Sequence, residues 1–72
     1  MSSIRTQILD AAETAERHVD LAYKAMYKVY TGLKYIEKYP KNIHEARMAQ
    51  HEIPIVEKQL SMLNSMILKA RD

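Results

Sequence analysis

Residues 36–56 read IEKYPKNIHEARMAQHEIPIV, and this stretch decides the fold. Pro40 biases Tyr39 away from the helical region, so a helix arriving from the N-terminal side stops there. Asn42 followed by Glu45 has the spacing of a capping box, which starts a new helix just after the proline. The chain is therefore expected to turn at Tyr39-Pro40-Lys41-Asn42. Pro54 lies inside the second helical pattern, where it removes one backbone donor and crowds the carbonyl one turn back, at Gln50. The second helix is expected to be kinked at Pro54 or broken there. Ile53 is a poor cap for a new helix and the apolar register keeps its phase on both sides, which favours the kink.

Working outward, Ser3 precedes a segment in which Ile4, Ile8, Ala11, Ala15, Val19, Ala22, Met26, Val29, Leu33 and Ile36 recur at steps of three and four. That spacing marks one face of a long first helix, over about 3–38. The phase slips once, between Ala15 and Val19, where two four-residue steps adjoin. Gly32 is the weak point of this helix, costing about 1 kcal/mol relative to alanine, and a bend or fray near Thr31-Gly32 is weighed for that reason. Downstream of the turn, Ala49, Ile53, Val56, Leu60, Leu63, Ile67 and Ala70 keep an unbroken heptad register through a second helix over about 43–70. Helices of these lengths would be roughly 50 and 42 Å long and, joined by so short a loop, must run antiparallel.

The expected fold is thus all-α, an antiparallel helical hairpin forming one domain over residues 1–72. Val56, Leu60, Leu63 and Ile67 are expected to pack on Met26, Val29, Leu33 and Ile36. A second stripe on helix two, Met48, Ile55, Met62 and Met66, is left without a partner by a lone hairpin. Dimerisation into a four-helix bundle covers it, and so would a three-helix bundle broken at Pro54, which is the alternative.

Composition narrows the function classes. Seventy-two residues without cysteine make a thin core that no disulfide or thiolate metal site can staple. The net charge of +2 is modest, but it is unevenly spread. Residues 1–22 hold two arginines against four acids, residues 23–41 hold five lysines against Glu37 alone, and residues 42–72 balance. No apolar run approaches the ~20 residues that cross a bilayer, and Met1–Arg5 lacks the layout of a signal peptide. A cytoplasmic location without membrane attachment is the expectation.

No constellation for catalysis stands out. The serines, at 2, 3, 61 and 65, have no nucleophile-elbow glycines beside them, and one glycine cannot build a phosphate-cradling loop. Glu13, Glu16 and Asp20 lie on an outward face with Arg17 and Lys24 in reach, which suits a solvated surface rather than an acid–base pair. His44, Met48 and His51 share a stripe, but two histidines seven residues apart are some 10 Å apart along the axis, too far to share a metal. His18 is read as a polar rim residue, with a pH switch as the sharper alternative. No metal, cofactor or small-molecule substrate is expected, and the chain is not expected to be an enzyme.

All five aromatics, Tyr23, Tyr27, Tyr30, Tyr35 and Tyr39, fall in the basic stretch. Tyr23, Tyr27 and Tyr30 edge the core line, and with Met48, Ile55, Met62 and Met66 they make the expected protein interface. Lys24, Lys28, Lys34, Lys38, Tyr35 and Tyr39 make a second candidate surface, for a partner or an anion. A nucleic-acid-binding hairpin using this face is the alternative, though the face holds no arginine, and its binding would be weak and salt-sensitive. The leading expectation is a small module acting by helix-face binding to itself, as a homodimer, or to a protein partner, in the manner of an adaptor, inhibitor or chaperone.

Residues 42–63, NIHEARMAQHEIPIVEKQLSML, following a long first helix, resemble the small helical-hairpin co-chaperones of type III secretion needle subunits. The likeness covers about a third of the chain and rests on Gln50, Glu52, Glu57 and the flanking apolar spacing; Pro54 departs from it. The resemblance implies a heterodimer that keeps an export substrate unpolymerised, and it assigns no residue roles.

Overall fold

The structure is a computed structural model that describes residues 3–71. Two helices, α1 (Ile4–Lys38) and α2 (Ile43–Arg71), pack along each other as an antiparallel hairpin, with no strand among the described residues. The molecule is a rod of 61 × 19 × 13 Å, as a two-helix hairpin with a short turn must be. α1 starts at an N-cap: the Ser3 side chain accepts from the Thr6 N–H at 3.2 Å. It ends where the Tyr39 N–H donates to the Tyr35 carbonyl at 2.9 Å. Thr31-Gly32 neither breaks nor ends it. The helix is continuous there, Thr31 turns its hydroxyl onto the Lys28 carbonyl, and a Cβ at Gly32 would meet nothing within 4 Å.

The capping box at the second helix forms with one change of partner. Asn42 Oδ1 accepts from the Glu45 N–H at 2.9 Å, while the Glu45 carboxylate reaches back past Asn42 to the Lys41 N–H, also at 2.9 Å. The Glu45 N–H, a donor left free by the helix start, and the Lys41 N–H just before the cap are thereby satisfied. Asn42→Ala is expected to cost about 1 kcal/mol, read as a lower urea midpoint at unchanged m-value.

α2 runs unbroken through Pro54, so the three-helix alternative is excluded. Both Pro54 and Gln50 are exposed. The carbonyl that loses its donor therefore lies on the side of the helix that water reaches, which is where the loss is least damaging.

Among the described residues only Leu33, Ala49, Ile53, Val56 and Ile67 are buried. The first four form the core cluster, with Met26, Tyr30, Ile36 and Leu60 packed against it. The turn at residues 39–42 sets this register: Ala49 follows it by about as many residues as Leu33 precedes it. Ala49 is fully buried, a small side chain where the helices approach near the turn. Val56 and Leu60 pack with Met26, Leu33 and Ile36 as expected, whereas Val29 is exposed. Ile67 packs farther from the turn, sharing a groove with Glu13, Glu16, Arg17 and Asp20.

The face of α1 also differs from the expected line. Its covered positions are Glu16, Val19, Tyr23, Met26, Tyr30, Leu33 and Ile36, at steps of 3, 4, 3, 4, 3 and 3, with Asp20 beside Val19. Tyr23 and Tyr30 take the places expected of Ala22 and Val29, both of which are exposed. The phase slip disappears with them. α1 contributes a heptad seam between Glu16 and Leu33 that faces the heptad seam of α2. Large rings cover more of the gap between the helices than alanine does, and their hydroxyls need only reach the rim.

Candidate functional site

The residues expected to form one interface fall into two groups on opposite sides of the hairpin. Helical geometry places Met48, Ile55, Met62 and Met66 on one flank of α2, about a third of a turn from its seam. All four are exposed, between 38% and 58%. Both helices are right-handed and run in opposite directions. The flank of α1 on that same side of the rod is therefore the one carrying Ala22 and Val29, not the one carrying Tyr23 and Tyr27. A groove lined by Met26, Gln59, Met62, Leu63 and Met66 lies on this side.

The α1 half of this face is a heptad line of its own. Ala11, Ala15, His18, Ala22, Ala25, Val29, Gly32 and Ile36 follow at steps of 4, 3, 4, 3, 4, 3 and 4. No Lys, Arg, Asp or Glu stands on it, and all but the half-buried Ile36 are exposed. Ala11, Ala15, Ala22, Val29 and Ile36 are expected from sequence in the hairpin seam, and this half of the face is not. The signal was there in the phase slip, since the expected line wandered between the seam and this second line.

Tyr23, Tyr27 and Tyr30 form a ladder on the opposite flank. Tyr23 and Tyr27 stack with centroids 6.4 Å apart, and Tyr27 and Tyr30 lie 6.1 Å apart at 44°. Tyr30 packs on the core, Tyr23 is half-buried, and Tyr27 is 50% exposed. They do not join the methionine flank.

The basic surface is engaged within the hairpin itself. Lys24 pairs with Asp20 at 3.1 Å and Lys34 with Glu37 at 3.6 Å. Lys34 also sits over the Tyr30 ring at 6.0 Å and Lys38 over the Tyr39 ring at 5.5 Å, while Tyr35 packs on Tyr39 at 5.2 Å. These contacts are individually weak, because the charges are exposed. Lys28 lies with Leu21 and Lys24 on the outward side of α1.

His44, Met48 and His51 are exposed along α2, and among the described residues no three His, Asp or Glu side chains gather as a metal site would need. No helix of the described residues is long and apolar enough to cross a membrane. No protein-family model matches the chain, and neither a curated protein nor a solved structure matches it.

Proposed function

We propose that this chain is a small, non-catalytic protein-interaction module, working as an adaptor, inhibitor or chaperone-like subunit through an exposed helix face. The observation that carries this reading is the apolar face made by Met48, Ile55, Met62 and Met66 beside the charge-free line of α1. Large apolar side chains left exposed together on one face are what protein contact sites present, and methionine adapts its shape to a partner. A cytoplasmic setting fits the absence of cysteine, and self-association is one use of the face.

Nucleic-acid binding is the weaker reading. Two of the four lysines on the candidate surface already face carboxylates, and that surface includes no arginine to add bidentate base or phosphate contacts. A photo-crosslinking residue at Met62, with a second variant carrying it at Lys28, tests the proposal in cells. Discrete protein adducts at Met62 are the expected result. Adducts to nucleic acid at Lys28, joined by a gel shift at low salt that vanishes at high salt, would overturn it if Met62 gave no protein adduct.

A further inference from the structure

We infer that the apolar face is covered by a second copy of this chain, related by a two-fold axis parallel to the helices, so that α1 of each copy lies on α2 of the other. The inference rests on the proposed interaction role and names the occupant of that same face.

Area is the first argument. A compact monomer of 8.4 kDa is expected to expose about 4,600 Å², whereas this chain exposes 6104 Å². The excess is about 1,500 Å² a chain, or about 3,000 Å² for two, which is the burial of an obligate homodimer. The direction of the apolar residues on α1 agrees with the area. The apolar line of α1 from Ile4 to Ile36 is divided between the hairpin seam, through Val19, Met26 and Leu33, and the second face, through the exposed Ala22 and Val29, so its mean direction lies between the two. In a lone hairpin that direction is half wasted. In a four-helix bundle it is the direction of the common core.

Shape complementarity selects the arrangement. A two-fold axis parallel to the helices keeps every residue at its own level along the rod, so the hairpin register also sets the contacts between copies. Met66 then comes level with Ala15, Ile55 with Ala25, and Met48 with Gly32, where a Cβ would meet nothing within 4 Å. Large side chains of α2 face small ones of α1, as interdigitating helices require. An axis running across the helices would instead set α1 on α1, alanine on alanine, and crowd methionine on methionine. Glu52, half-buried, and Gln59 on α2 and His18 on the α1 line are the polar members of the covered face. Polar residues in such a core fix register at a cost in stability.

The test begins with the solution mass of the unaltered chain by light scattering across a concentration series. Twice 8.4 kDa is expected, and 8.4 kDa throughout overturns the inference. The arrangement is read from single-cysteine chains, which is simple in a protein without native cysteine. A mixture of Ala25→Cys and Ile55→Cys chains should oxidise to a mixed disulfide dimer, while neither chain cross-links alone, because in this arrangement identical helices sit diagonally. Cross-linking of Ala25→Cys with itself, or a dimer whose mixed chains fail to cross-link, overturns it. A monomer that still gives protein adducts at Met62 ends this inference and leaves the proposed function standing. A dimer without other adducts does the reverse for any foreign partner.

Discussion

Ile53→Asp is expected to abolish the fold, leaving a chain with little helical circular dichroism at 25 °C, whereas Ile55→Asp, two residues on, keeps its helicity at concentrations where the chain is folded. The difference follows from burial. Ile53 is 5% exposed in the cluster with Leu33, Ala49 and Val56, and Ile55 is 43% exposed on the second face. An aspartate at 53 loses the apolar contacts of isoleucine and brings an unpaired carboxylate among them, together costing at least about 4 kcal/mol. Among the described residues only five are buried to set against that, and small domains of this kind rarely hold more than about 3–5 kcal/mol. At 55 the carboxylate stays in water within the single chain, and its cost falls on the contact between copies. A folded Ile53→Asp chain would mean that α2 meets α1 through a different face.

Much of the hairpin was legible because turn chemistry is local. Pro40, Asn42 and Glu45 place the end of α1 and the start of α2 without reference to anything distant, and Ser3 does the same for the first helix. The α2 seam was equally plain, since its residues are all aliphatic and strictly periodic. The α1 seam was not, for a physical reason. Two adjacent lines on that helix are both apolar, one with tyrosines and one with alanines, and a reading by hydrophobicity alone mixes them. Choosing between Ala22 and Tyr23, or Val29 and Tyr30, depends on how wide a gap the facing helix leaves, which no local pattern encodes. The same holds for the candidate site. Periodicity put Met48, Ile55, Met62 and Met66 on one flank and Tyr23, Tyr27 and Tyr30 on another. Which flanks share a side of the rod follows only once the antiparallel register is known.

Pro54→Ala should act in the opposite direction to Ile53→Asp and stabilise the hairpin. Proline in a helix interior costs about 3 kcal/mol relative to alanine, because the N–H is missing and the ring crowds the preceding turn. Part of that is returned by the stiffer unfolded chain that proline gives, leaving a net gain of about 2 kcal/mol for the variant. For a chain this short the melting temperature should rise by roughly 10 °C, measured by circular dichroism at a fixed protein concentration because any association also shifts it. The exposed position supports this sign, since the ring of Pro54 makes no core contact that alanine would forfeit. A fall in melting temperature would carry a different meaning. Met48 precedes Pro54 on the second face, and Ile55, Met62 and Met66 follow it, so a bend at the proline would aim the two parts at one neighbour. Alanine would then straighten α2, and its loss would be recovered as a weaker dimer in light scattering. Stability gained with the dimer unchanged would instead make Pro54 a local defect that the seam tolerates, with the unpaired Gln50 carbonyl held in water.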